Sequence, residues 1–191
     1  MYQDNVDVAA CHLYDGVEYN TPFVRALLPG ISSVLVNVSY RTQGFYIKSG
    51  NPKNILGWED LKRTDITILN RRAGSSARIL LDTQLKALGI PSSSLRGYDK
   101  IMKSHLTVAS AIATGEADIA LGTERISRQI DGIDFIPLMQ ERFDLVIKKQ
   151  ALSTEPVSKM IKVLNSPEFR AEIKNFSGND YRDLGKIVAE V

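Results

Sequence analysis

The chain carries one cysteine, one tryptophan and two histidines, and its charges nearly cancel: 24 Lys and Arg against 22 Asp and Glu in 191 residues. The single thiol, Cys11, excludes an internal disulfide and a cysteine-built metal cluster, and its apolar neighbours place it in the core. Neither His12 nor His105 has the neighbours or spacing of a zinc site, so no metal is expected. A net charge of +2 is too slight for nucleic-acid binding through bulk electrostatics. No apolar run approaches the ~20 residues that cross a bilayer, and the acidic, polar start is unlike a signal peptide. These absences predict a cytoplasmic protein without a membrane partner, and an export signal outside this chain would fit them as well. Both the Walker-type and the dinucleotide-type glycine patterns are missing, and Ser75 has no base beside it in sequence, so no catalytic residue and no cofactor is assigned.

What is present is an ordinary globular composition, 43% hydrophobic and 24% charged. The length suits one large domain or two small lobes. Val6 to Leu13 reads as a buried strand, and Thr21, as N-cap, with Pro22 opens a helix that Pro29-Gly30 stops. Ser33 to Lys48, rich in Val, Tyr, Phe and Ile, reads as one or two strands. Ser49 to Trp58 marks a boundary between structural units, and Trp58 to Leu61 a short helix. Strands follow at Ile66–Leu69, Ala117–Gly122, Asp134–Leu138 and Phe143–Ile147. Helices are expected over Ala77–Leu88 (apolar face Ile79, Leu80, Leu85, Leu88), His105–Thr114 (packing face Leu106, Ala109, Ala111, Ala113), Glu124–Ile130, Glu155–Leu164 and Pro167–Asn175. This alternation implies an α/β fold with parallel sheets. A strand that opens the chain almost at Met1, with no partner strand and crossover helix before it, reads as a first βα unit lying outside this polypeptide.

The segment most suggestive of a site is Asn70-Arg71-Arg72-Ala73-Gly74-Ser75-Ser76-Ala77-Arg78, between a strand and a helix. Free N–H groups at the helix start, the helix dipole, and the hydroxyls of Ser75 and Ser76 suit an anion. Arg71 and Arg72 add guanidinium forks, and Gly74 supplies the turn. The plainer alternative is a serine N-cap flanked by solvated arginines. Ser104 and His105 begin the next long helix and offer a second set of free N–H groups. Tyr14 and Tyr19 flank a polar loop and could wall a cleft. His12 reads as a satisfied core histidine, and Arg41, Asp99 and Asp144 as structural residues.

Several ordered segments carry a family resemblance: His12-Leu13-Tyr14-Asp15, Gln43-Gly44-Phe45, Gly50-Asn51-Pro52, Asn70 to Ser76, Gly97-Tyr98-Asp99, Ala117 to Gly122 and Glu141 to Val146. On these the chain resembles the substrate-binding-like domains of the type 2 periplasmic-binding-protein superfamily. The group it resembles is associated with molybdopterin-biosynthesis proteins and helix-turn-helix regulators. The resemblance implies two α/β lobes joined by crossing strands and closing on a ligand between them. Residues 1–48 and 141–191 would form lobe 1, truncated at its N-terminus, and residues 49–140 lobe 2. The Gly74 loop resembles the Gly-Ser-Gly-Thr-type turn of molybdate- and tungstate-binding relatives, but Ser76 stands where a glycine is expected and the threonine is missing. Gly178-Asn179-Asp180-Tyr181 likewise departs from the family's Gly-Tyr-Asp-Thr.

The reading that follows is a non-catalytic domain binding a small anionic ligand, with molybdate, tungstate or a molybdopterin-related metabolite as leading guesses. Ligand residues would be Arg71, Arg72, Gly74, Ser75, Ser76, Ser104, His105, Tyr14 and Tyr19. Alternatives are a molybdenum-cofactor biosynthesis enzyme or assembly factor, or a ligand-free dimerising module. An exposed lobe 1 edge would suit a homodimer, and a helix-turn-helix or molybdopterin-biosynthesis domain on a separate chain is a further expected partner. Three or four donors from one lobe support roughly millimolar affinity, about −4 kcal/mol.

Overall fold

A computed structural model describes every residue except 2–5 and 177. In chain order the elements are β1 (Val8–Cys11), α1 (Thr21–Leu27), β2 (Ser33–Lys48), β3 (Ile68–Arg71), α2 (Ser76–Ala87), β4 (Ile101–Met102), α3 (His105–Thr114), β5 (Ile119–Thr123), α4 (Glu124–Ser127), β6 (Ile133–Lys148), α5 (Glu155–Asn165), α6 (Pro167–Ile173), β7 (Asn179–Asp180) and β8 (Ile187–Glu190). Short 3-10 turns cover Trp58–Lys62, Ser92–Ser94 and Lys149–Ser153. The chain divides into two compact units, 1–41 with 141–191 and 42–140. It passes from one to the other inside β2 and returns inside β6.

In unit 1, β1 pairs antiparallel with β6, while β7 and β8 pair antiparallel with the first half of β2. Its core is Val34, Val36, Ile147, Val157, Leu164 and Leu184, with a second group around Val24, Leu35 and Val146. Helix α5 turns Val157 and Leu164 into that core, a spacing of seven that returns to one face of the helix. In unit 2 the strand order is β2-β5-β3-β4: β3 runs parallel to both β4 and β5, and β5 antiparallel to β2. Helices α2 and α3 supply the crossovers that parallel neighbours require. Around α3 the core is Tyr46, Leu69, Val108, Ala109, Ala111, Ile112 and Ala120.

Several expectations change. The sheet is mixed: among the described residues the parallel pairings of named strands are β3 with β4 and β3 with β5, and β1, β2, β6, β7 and β8 pair antiparallel. The first strand is shorter than Val6–Leu13 and only half-buried, because β1 has a neighbour on one side alone. Cys11 is accordingly half-buried, and burial pushes its thiol pKa up. Asn20, not Thr21, is the N-cap of α1, in a left-handed conformation with φ 66°, and its side chain is used elsewhere. The strands expected at Asp134–Leu138 and Phe143–Ile147 are one continuous strand. Its central charges survive there because Glu141 and Arg142 each meet a partner of opposite sign.

Strand β3 begins two residues later than expected and ends on Arg71, which places that arginine at a strand terminus rather than in a loop. Helix α4 stops at Ser127 instead of reaching Ile130. On α2 the buried side chains are Ser76, Ala77, Leu80, Leu81 and Leu85, so Ile79 and Leu88 lie off the inner face. On α3 they are Val108, Ala109, Ala111 and Ile112, and Leu106 is 49% exposed.

Candidate functional site

Parallel strands bring the loops at their C-terminal ends together, and in unit 2 this assembles most of the sequence-predicted residues. Arg71 lies in register with Met102, so the β3–α2 and β4–α3 loops are neighbours. Arg71 spans them, its Nη2 donating to the carbonyl of Lys103 at 3.1 Å. Arg72, Gly74, Ser75 and Ser76 follow on one side, and Ser104 and His105 on the other. Gly74 has φ 81°, the left-handed conformation that a side chain would strain. Such C-terminal strand edges are where ligands bind in open α/β sheets.

Both serine hydroxyls act within the chain. Ser75 Oγ donates to the Arg72 carbonyl at 2.9 Å and accepts from the Arg78 amide at 3.3 Å, capping α2. Ser104 Oγ accepts from the Thr107 amide at 3.0 Å and is hydrogen-bonded to Thr107 Oγ1 at 2.5 Å, either hydroxyl being able to donate, and so caps α3. What these caps leave for a ligand are the first amides of α2, on Ser76 and Ala77, and the Leu106 amide of α3.

Arg71 is the most unusual group here. Its Nε and Nη1 are buried and have no hydrogen-bond partner among the described residues. Burial lowers its pKa, and the charge of adjacent Arg72 lowers it further. Among the described residues no carboxylate pairs with Arg71, Arg72 or Lys103. Arg78, by contrast, is committed, with Nε 3.0 Å from both Asp82 oxygens and its guanidinium 4.0 Å above the Tyr98 ring. Tyr46 underlies this edge: its hydroxyl donates to the Thr123 carbonyl at 2.8 Å, and burial pushes its pKa up to about 12. Gly122 makes room for it, since a Cβ there would overlap the Tyr46 ring and hydroxyl.

Tyr14 and Tyr19 lie in unit 1. They bridge the ends of a tight loop with ring centroids 4.9 Å apart, and Asp15 Oδ1 accepts from the Val17 and Glu18 amides at 2.8 and 2.9 Å. A wholly buried Asp144 anchors that loop. It accepts from Asn20 Nδ2 at 2.7 Å, Asn37 Nδ2 at 3.0 Å and Arg142 Nε at 2.7 Å, while Arg142 Nη2 donates to the Tyr19 carbonyl at 2.9 Å.

Beside the loop is a cluster that the sequence reading passed over. Glu141, with its side chain 1% exposed, takes His12 Nδ1 at 3.1 Å on one oxygen and forms an ion pair with Arg41 through the other. Phe143 stacks on His12 at 5.3 Å and lies under the Arg41 guanidinium at 4.6 Å. The Tyr19 hydroxyl is buried without a partner among the described residues, and its pKa is raised by burial first and then by the Glu141 charge. The available signal was a charged Glu141-Arg142 pair, followed by Asp144, inside an apolar strand. Such charges persist in a buried strand only where partners meet them.

A sequence model of the PBP superfamily domain matches residues 1–165. A Bacillus subtilis (strain 168) protein, the uncharacterised YvgK, is 40% identical over 193 residues, covering 100% of this chain and 61% of its own length. This chain therefore spans less than two thirds of that relative. Among solved structures, a candidate phosphate ABC transporter substrate-binding protein with bound phosphate from Clostridium perfringens superposes with TM-score 0.62 at 15% identity, covering 94% of this chain and 80% of that one. The substrate-binding domain of a candidate molybdenum ABC transporter from Clostridium difficile gives TM-score 0.52 at 15% identity, over 77% of this chain and 66% of that one. At these identities the likeness is one of fold, that of two-lobed solute-binding domains.

Proposed function

The chain belongs to the periplasmic-binding-protein (PBP) superfamily, and we propose that it binds a small anion, without catalysis, at the strand-end edge of unit 2. An oxyanion such as molybdate, tungstate or phosphate, or an anionic metabolite, is the class of ligand this edge suits. The observation that carries the reading is Arg71, a desolvated cation with two buried N–H donors unmet and a like charge beside it. An anion supplies the missing acceptor and relieves the repulsion together. The starts of α2 and α3 add about 0.3–1 kcal/mol each, up to ~2 where partly buried. Arg72 and Lys103, both exposed, draw the ligand in. The phosphate- and molybdenum-transporter neighbours support the class of ligand by fold and by nothing finer.

The test is isothermal titration of the chain with molybdate, tungstate, sulfate and phosphate at low and at raised ionic strength. One-site binding that weakens with salt is the expected result. Absence of heat from all four anions, with the protein folded, overturns the reading.

A further inference from the structure

The His12–Glu141 cluster of unit 1 serves neither the unit 2 edge nor the hydrophobic core, and it has the makings of a site of different chemistry. Its charge is internally balanced, because the Glu141 carboxylate is answered by Arg41. An incoming anion would have to compete with Glu141 for that guanidinium, and a cation would face the guanidinium itself. An uncharged group meets neither penalty.

Its hydrogen-bonding demand is specific. Tyr19 O–H and Arg41 Nε–H are buried donors without acceptors among the described residues. Arginine can only donate, so the missing ligand atom must accept. His12 Nδ1 lies 3.1 Å from a buried carboxylate oxygen, which favours the proton on that nitrogen; in the neutral imidazole Nε2 is then the acceptor. The cluster reaches the surface, since the side chains of His12 and Arg41 are 32% and 26% exposed above a buried Glu141. Planar groups already stack in it, imidazole on phenyl at 26° between planes and guanidinium over the same ring.

We propose that His12, Tyr19, Arg41 and Glu141 form a second ligand site, taking an uncharged planar heterocycle through a lactam edge. The ring carbonyl accepts from Tyr19 and Arg41, and the adjacent ring N–H donates to His12 Nε2. Phe143 is the stacked support that holds His12 and Arg41 in plane. The site stands on observations in unit 1 alone and does not depend on the anion reading.

Uracil is a minimal probe, and 1,3-dimethyluracil keeps its shape and carbonyls while lacking the N–H donors. Saturation-transfer NMR and calorimetric titration of the chain with both compounds, and with inorganic phosphate as competitor, test the proposal. Uracil should bind with no competition from phosphate, and the dimethyl analogue about tenfold more weakly, the loss of roughly one hydrogen bond. Tyr19→Phe should also weaken uracil about tenfold. Because that hydroxyl has no partner in the free chain, the variant should melt at the same temperature or higher, which separates a ligand role from a structural one. The proposal is overturned if uracil does not bind at about 10 mM, well above the millimolar constant expected of so small a ring. Equal binding of the two pyrimidines, or a Tyr19→Phe variant that loses melting temperature with no change in affinity, overturns it as well.

Discussion

Arg71→Ala should separate binding from stability in a way few arginine deletions do. In the free chain this side chain makes one hydrogen bond among the described residues, to the Lys103 carbonyl at 3.1 Å, with a net contribution of about 0.5–1.5 kcal/mol. Against this stand two buried, unmet donors, Nε and Nη1, each unfavourable by about 1–3 kcal/mol. Deletion removes both sides of that balance together with the packing of the aliphatic stem. The expected stability change therefore lies within about 1 kcal/mol of zero or is a gain, well short of the 3–5 kcal/mol typical of breaking a buried ion pair. Binding should respond differently. One or two charge-assisted bonds at about 1.5–3 kcal/mol each correspond to a loss of at least tenfold in anion affinity and more than a hundredfold where both are made. Arg71→Lys should recover only part, since an ammonium restores the charge but not the planar fork. The assay pairs chemical denaturation with calorimetric titration of molybdate and phosphate at low salt. A stability loss above about 2 kcal/mol with anion affinity unchanged would refute the reasoning, because it would make Arg71 a structural residue.

Two further outcomes follow from the same geometry. Asp144→Ala strips three partners from a fully buried carboxylate and strands Arg142, so it should lower stability by about 3–5 kcal/mol and the melting temperature by ~6–20 °C in thermal unfolding. Asp60→Asn probes acid stability. Burial pushes the Asp60 carboxyl up, but the Leu56 and Gly57 amides and Arg63 outweigh it and hold its pKa below the ordinary value. A depressed carboxylate stabilises above its unfolded pKa of about 3.9 and loses that contribution as pH falls through its lower folded value. Wild type should accordingly exceed the variant at neutral pH, with the gap closing below about pH 4; a gap that widens on acidification would contradict the sign.

Much of the α/β character was legible because it is written in local patterns. Helix α3 starts and stops at His105 and Thr114 as its Ser104 cap and Gly115 predict, the glycine with φ 83°. The Asn70–Arg78 segment was readable as a candidate site for the same reason. A strand, a small-residue turn and a capped helix are neighbours in sequence, and the free amides of a helix start depend on nothing distant. The sequence also carried enough ordered motif to point to the superfamily.

The misreadings have a common cause in long-range pairing. A charged pair at Glu141-Arg142 looks like a strand break until Arg41 and Asp144 are known to meet it. The parallel reading failed at β2, β6 and β1, whose directions depend on partners far along the chain. The same holds for chemistry. From sequence alone His12 was a core residue and Arg41 structural, because their bond partner lies at residue 141 and cannot be seen from either. By itself the sequence determined most helix starts to within a residue and the family the chain resembles, and it singled out one loop as a candidate anion site, all from neighbours within a few residues. Only the tertiary structure decided which donors remain unmet: Arg71 in one unit, and Tyr19 and Arg41 in the other. A group's partners and its burial are properties of the folded neighbourhood, and hydrogen bonds satisfied or lacking there fix what a ligand must bring.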